Sequence, residues 1–306
     1  MIAGINALVD LQQAVIQQVD LPLSAGNKIT SDVLRIDKIH ATVSGNKWFK
    51  LKYTLQDALE KKHDMVVTFG GAWSNHLVAT AVACSQLGIT SIGVIRGEEP
   101  EVLSPTLNEC LRYGMRLHFM DRHTYREKEI AYAEIRKLYP GAYMIEEGGR
   151  GPYGVKGAGE ILDLVPVNRY SHICCAVGTG TMMAGVINAS LPGQQVIGIS
   201  ALKIPEEDNQ IEQFIRNATG NMNNFRIVYD YHFGGYARKT TELTDFMNAF
   251  YNSTGIPLDF VYTAKLLFGI NDMAIKARFP AGSRLLIIHS GGLQGNQSLP
   301  KNTLVY

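Results

Sequence analysis

The sequence is short of the features that mark several whole classes of protein. It has only four cysteines in 306 residues, Cys84, Cys110, Cys174 and Cys175, with no CxxC spacing. That argues against a disulfide framework, a zinc site or a dithiol redox motif, and buried thiols in a reducing, cytoplasmic setting are the expectation. No apolar run approaches the ~18 residues of a membrane span. The net charge is +1, so nothing electrostatic points to nucleic acid or a membrane surface as a partner. Charged residues make up 19% and hydrophobic ones 46%, with 30 glycines, a balance that excludes a disordered or fibrous chain. Met1 to Val19 lacks a basic leading region and contains Asp10, which argues against a signal peptide. The histidines show no metal-ligand spacing, and no metal site is expected.

What is present is alternation. Val- and Ile-rich runs predict strands at 65–69, 91–95, 116–119, 142–145, 172–177, 196–200, 226–229 and 284–289. Helical patterns lie at 48–59, 77–87, 103–113, 125–138, 182–191, 243–251 and 267–278. Repeated strand–helix units predict an α/β fold on mostly parallel sheets, with ligands at the carboxyl ends of the strands. The glycine-rich stretch Glu147–Gly154 interrupts the pattern and is the candidate boundary between two lobes.

Four loops carry the chemistry. Gly178-Thr179-Gly180-Thr181 follows a strand and opens a helix, so its amides and hydroxyls suit a phosphate; with Met183 in the last position it is not a dinucleotide fingerprint. It reads equally as a plain strand-to-helix turn. Lys47 follows Gly45-Asn46 at a helix start. It is either a solvated first-turn lysine or, if desolvated beside a second cation such as Lys50, an amine able to form a Schiff base. The segment Gly70 to His76 offers the first-turn amides of Ser74, Asn75 and His76 to a carboxylate, with Ser74 or Asn75 as a simple N-cap the alternative. His289-Ser290-Gly291-Gly292 closes the last strand and places a hydroxyl at the sheet edge. Ser44 and Lys47 also have the SxxK spacing of some serine hydrolases, without their accompanying KTG or SDN segments.

Taken in order with Val261-Tyr262-Thr263-x-Lys265, these segments resemble the pyridoxal-phosphate enzymes of the tryptophan-synthase-β-like fold, in particular the 1-aminocyclopropane-1-carboxylate deaminase and D-cysteine desulfhydrase family. The resemblance spans almost the whole chain. It implies a two-lobed, three-layer αβα architecture, with a small domain at 47–155 and a large cofactor-binding domain from 1–46 plus 156–306. It implies that Lys47 bonds pyridoxal 5'-phosphate, with Lys50 beside it. Asn75 would hold the phenolic oxygen, Gly178, Thr179, Gly180 and Thr181 the phosphate, and Thr263 and Ser290 would lie near the ring nitrogen. Ser74, Asn75 and His76 would bind the substrate, Ser74 helping to move a proton, while Tyr236 and Tyr262 face it. A small amino acid as substrate and a homodimer also follow from the resemblance.

The deaminases of the family carry glutamate where Thr263 stands and leucine where Ser290 stands. A carboxylate at the ring nitrogen keeps it protonated, whereas a hydroxyl mostly leaves it neutral. The expectation is therefore β-elimination from a thiol-bearing or similar amino acid, of D configuration, giving a 2-oxo acid and ammonia. The alternatives are cyclopropane deamination, a protein that binds the cofactor without turnover, and the SxxK hydrolase.

Overall fold

The structure is a computed structural model, and it describes residues 2–22, 28–43, 45–205, 207–220 and 222–306. Ten strands are present among them: β1 (Val15–Val19), β2 (Thr30–Arg35), β3 (Met65–Gly70), β4 (Thr90–Arg96), β5 (Arg116–Met120), β6 (Tyr143–Ile145), β7 (His172–Val177), β8 (Gln195–Ser200), β9 (Phe225–Val228) and β10 (Arg284–His289). They form a six-stranded sheet in the order β1-β2-β10-β7-β8-β9 and a four-stranded sheet in the order β5-β4-β3-β6. β1 runs antiparallel to β2, and every other pairing is parallel.

Both faces of the larger sheet are covered, which is why its strands read as unbroken apolar runs. Along β7, Ile173, Cys175 and Val177 pack into one apolar cluster and Cys174 and Ala176 into another on the opposite face. β10 divides the same way, Leu286 and Ile288 against Leu285 and Ile287. In the smaller sheet, Val67 and Phe69 share a cluster with Ile92 and Val94, while Val66 and Ile95 face the main core. The result is the expected αβα layering. All four cysteines are free and buried; burial pushes Cys84, Cys110 and Cys175 up to about 12, so they are unreactive thiols.

The first two strands escape the sequence pattern for a physical reason. β1, Val-Ile-Gln-Gln-Val, is an edge strand with four of its five residues at least partly exposed, and β2 begins Thr-Ser-Asp. Neither offers a continuous apolar run. The helical pattern over 125–138 is broken: Glu127 adopts φ −77°, ψ 79° and separates the helices Arg122–Arg126 and Lys128–Leu138. Further helices are present at Ile2–Asn6, Gln210–Ala218 and Pro152–Gly159.

The last of these occupies part of the stretch read as a boundary loop. Its glycines look like helix breakers, yet they permit a backbone approach that no other residue allows. A Cβ on Gly157 would stand 1.8 Å from the carbonyl oxygen of Phe49, and one on Gly185 would stand 2.4 Å from that of Val155. Helix Pro152–Gly159 is thereby wedged between helix Asn46–Glu60 and helix Thr181–Ala189. These are the two helices whose first turns bear Lys47 and the Gly-Thr-Gly-Thr turn, so the close packing fixes the distance between them.

Candidate active site

Loops that follow β2, β3, β7 and β10, together with Tyr262 at the head of helix Thr263–Ile275, surround a cavity. Lys47, Lys50, Asn75, Gly178, Thr179, Gly180, Tyr262 and Ser290 line it, with Asn46, Thr42 and Gln294. Residues separated by more than 240 positions in the chain thus meet at one point.

Lys47 stands in the first turn of a helix whose start is tied to the far end of the chain. Gly45 precedes it at φ 65°, ψ −147°, a conformation open essentially to glycine alone. The Gly45 amide donates to Ile36 O at 2.9 Å, and the Asn46 amide to Ser290 O at 3.1 Å. The Lys47 ammonium donates to Asn46 Oδ1 at 3.2 Å and lies 5.8 Å from the centre of the Tyr262 ring. Burial pushes its pKa down to about 8, against the attraction of Asp259, so the neutral amine is accessible near neutral pH. Lys50 is buried one turn on, and its pKa falls well below the usual lysine value, first through burial and then through the charge on Lys47. This corrects the expected order: burial lowers Lys47, and the repulsion within the pair falls on Lys50.

At the second loop, Ser74 caps helix Asn75–Leu87 through Oγ, which accepts from the Leu77 amide at 3.4 Å. Its own amide is engaged by Gly71 O at 3.0 Å, so of the three amides expected to be open, only those of Asn75 and His76 lack an acceptor among the described residues. One N–H of the Asn75 side chain donates to Gly292 O at 3.3 Å, while its Oδ1 is buried without a partner.

The His76 side chain does not line the cavity, which leaves its amide as the group available to a ligand. It is 2% exposed and its Nε2 is 2.8 Å from Thr68 Oγ1, because the first turn of the helix aims position 76 back at β3. Burial, followed by the charges of Lys47 and Lys50, pushes its pKa down to about 3. An unfolded chain protonates this histidine below ~6.5, whereas the native one does so only near 3, so stability is complete above the higher value and declines as pH falls between the two. His76→Gln should flatten that decline in urea titrations between pH 6.5 and 4; an unchanged slope contradicts the reading.

The third loop continues β7. Gly180 adopts φ 81°, turning the chain so that helix Thr181–Ala189 begins at the cavity wall. Thr179 Oγ1 and Thr181 Oγ1 are 3.0 Å apart, and the amides of Thr179, Gly180 and Thr181 have no acceptor among the described residues. Gly178 passes under Tyr262; a Cβ there would be 3.1 Å from the ring.

At the fourth, Ser290 faces the cavity while Thr263 does not. The Thr263 hydroxyl is fully buried, donating to Asp259 Oδ1 at 2.8 Å and accepting from the Asp259 amide at 2.7 Å. Asp259 was not anticipated from the sequence. Its oxygens also accept from the amides of Val261, Tyr262 and Thr263, each at 2.9 Å. Burial pushes this carboxyl up, against four donors that favour its charged form. The available signal was an aspartate ahead of an apolar helix, a capping pattern. His289 fixes the same loop, with Nε2 2.7 Å from Pro257 O and Nδ1 3.2 Å from Asp37 Oδ1.

Tyr236 meets the edge of Tyr262, their ring centres 6.1 Å apart, and is 47% exposed at the rim. Ser44 lies outside the described residues, so the SxxK pairing has no geometry. No group of three or more His, Cys, Asp or Glu side chains suited to a metal occurs among the described residues.

A family model described as pyridoxal-phosphate dependent enzyme matches residues 34–291. A Pyrococcus horikoshii protein named "Putative 1-aminocyclopropane-1-carboxylate deaminase" is 32% identical over 279 residues, covering 86% of this chain and 84% of its own. The Arabidopsis thaliana protein named bifunctional D-cysteine desulfhydrase/1-aminocyclopropane-1-carboxylate deaminase, mitochondrial, is 28% identical, covering 86% of this chain and 72% of its own. A crystal structure described as an ACC deaminase homologue superposes with a TM-score of 0.77 at 29% identity, over 96% of both chains.

Proposed function

The chain belongs to the pyridoxal-phosphate dependent enzymes, and from that premise we propose that it removes the α-proton of a small amino acid and eliminates its β-substituent, releasing a 2-oxo acid and ammonia. The observation that carries this reading is the convergence of Lys47, Asn75, the turn at Gly178 to Gly180, and Ser290 on one cavity.

The donor set suits the cofactor. Open amides at a helix start match a phosphate, the second N–H of the half-satisfied Asn75 amide matches a phenolic oxygen, and Lys47 is a buried amine with a lowered pKa. When bound, pyridoxal phosphate acts as an electron sink for the α-carbon. The rest is assigned to the chain's own groups. Lys47 Nζ takes the α-proton and returns it, the open amides of Asn75 and His76 with Ser74 receive the substrate carboxylate, and Tyr262 and Tyr236 wall the side-chain end. His76 contributes through its backbone, since its ring is engaged by Thr68. The division into a small domain at 47–155 and a large one from the remainder belongs to the same reading; it is supported by the strands, since β3 to β6 make one sheet and the others the second.

Ser290 bears on the choice of substrate. Among the described residues lining the cavity there is no carboxylate, and the nearby Asp259 has both oxygens committed to backbone and Thr263. With Ser290 as its neighbour, a cofactor ring nitrogen would meet a hydroxyl, which would leave it mostly neutral and weaken the sink. Elimination of a thiol, a good leaving group, needs less from the sink than opening a cyclopropane. In the proposed turnover the Cα–H and Cβ–S bonds break, and the released enamine takes up water to give pyruvate and ammonia alongside sulfide. The names of the Arabidopsis and Pyrococcus relatives support both substrates, and the absent carboxylate favours the thiol. Purified protein loaded with cofactor should release sulfide and pyruvate from D-cysteine with a kcat/KM at least about tenfold above that for 2-oxobutyrate from the cyclopropane amino acid. The reverse order contradicts the proposal. Homodimeric assembly and a cytoplasmic location remain part of the reading and are tested by sedimentation and cell fractionation.

A further inference from the structure

One buried charge in the neighbourhood is used by none of these steps. Lys265 lies in helix Thr263–Ile275, is fully buried, and sends its ammonium away from the cavity. Nζ donates to Gly235 O at 2.7 Å and to Ala201 O at 3.3 Å. The first of these belongs to the loop bearing Tyr236, and the second immediately follows β8.

That loop is conformationally strained. Phe233, Gly234, Gly235 and Ala237 all have positive φ, of 52°, 91°, 118° and 52°, a conformation that strains the two non-glycine residues. Contacts local to the loop offset part of the strain: the Gly234 amide donates to His232 Nδ1 at 2.9 Å, the Gly235 amide to His232 O at 3.0 Å, the Arg238 amide to Gly235 O at 3.1 Å, and Phe233 packs edge-on against Phe268. Residues 236–240 are exposed. The one tie from the loop to a rigid helix through a charged donor, among the described residues, is Lys265 to Gly235. The residue after that carbonyl is Tyr236, whose ring rests on Tyr262, and Tyr262 in turn lies beside Lys47.

We propose that Lys265 is a positioning residue, a buried clamp that fixes the carbonyls of Gly235 and Ala201 and thereby holds Tyr236 against Tyr262 at the rim of the cavity. The inference rests on the assignment of Tyr236 to the substrate side made above. It concerns where Tyr236 is held, and Lys265 itself touches neither substrate nor cofactor.

Two readouts on the cofactor-loaded protein test it. Arg238 and Lys239 are exposed trypsin sites inside the clamped loop. The parent should resist cleavage there, and Lys265→Met, which keeps the length of the side chain and removes its donors, should be cut at these two bonds about ten- to a hundredfold faster, the range expected for loss of a hydrogen bond to a charged group. The same variant should keep the visible absorbance of the bound cofactor and the KM for the amino acid while kcat falls about tenfold. In a Tyr236→Phe background that fall should shrink, because both changes act through one side chain. Cleavage of Lys265→Met within about twofold of the parent, or strictly additive losses in kcat, overturns the clamp. So does rapid cleavage of the parent itself at Arg238 and Lys239, a result that needs no folded variant. If neither protein turns over any amino acid, the proposed reaction fails, and the contrast in cleavage still decides the clamp.

Discussion

Lys47→Ala should abolish the visible absorption of the cofactor-loaded protein and lower turnover by at least about 10³-fold, since one amine both bonds the cofactor and moves the α-proton. The size of the effect follows from the position of the side chain. Lys47 is held by a helix start pinned to the loop after β10, with its amine buried, lowered to about 8 and beside Tyr262. Lys50 is within one turn and is also a buried amine. It is not expected to substitute for Lys47, because it stands one turn further along the helix, away from the start that the Asn46 amide pins to Ser290 O. Lys50→Ala should therefore retain the absorption while weakening cofactor retention. A Lys47→Ala protein with unchanged absorption and activity would place the chemistry elsewhere in the chain.

Gly45→Ala carries the second large effect, this time through the backbone. The residue has φ 65° and ψ −147°, and an added Cβ would fall 2.0 Å from Ser290 O and 2.7 Å from the Gly291 amide. Both neighbours are main chain and cannot swing aside. Strain of about 1–3 kcal/mol for the backbone conformation adds to about 1–3 kcal/mol for overpacking. A loss of roughly 2–6 kcal/mol in urea unfolding is expected, with cofactor affinity falling in parallel because the displaced segments carry Lys47 and Ser290. Gly88→Ala serves as the comparison. Gly88 also has a positive φ, 71°, but nothing lies within 4 Å of its added Cβ, so it should lose only the conformational part, about 1 kcal/mol. Equal losses at both positions would show that the contact with Ser290 is unimportant.

These two residues also mark how much of the molecule could be read before its structure. Periodicity exposes strands whose two faces are both buried, such as β7 and β10, because their side chains are apolar throughout. It misses β1 and β2, where one face is polar or the edge is open to solvent. The helix Pro152–Gly159 was hidden for the opposite reason: its glycines serve a close approach to Phe49 O that only the tertiary packing reveals. At the site, the loops bearing Asn75, the Gly-Thr-Gly-Thr turn and Ser290 were legible from their glycines and their place after strands, and Lys47 from the glycine before a helix start. The directions of individual side chains were not. His76 turns to Thr68 and Thr263 to Asp259 because each packs against its own element's neighbours. Asp259 itself, joined to three amides and a hydroxyl within four residues, reads in the sequence as an ordinary cap.

The most direct test of the account is the identity of the modified lysine. Protein loaded with pyridoxal phosphate, reduced with borohydride, digested and mapped by mass spectrometry should carry the pyridoxyl group on Lys47 at close to one per chain. The group found on Lys50, on Lys265, or scattered over surface lysines with none on Lys47 would contradict the assignment of this cavity as the catalytic site.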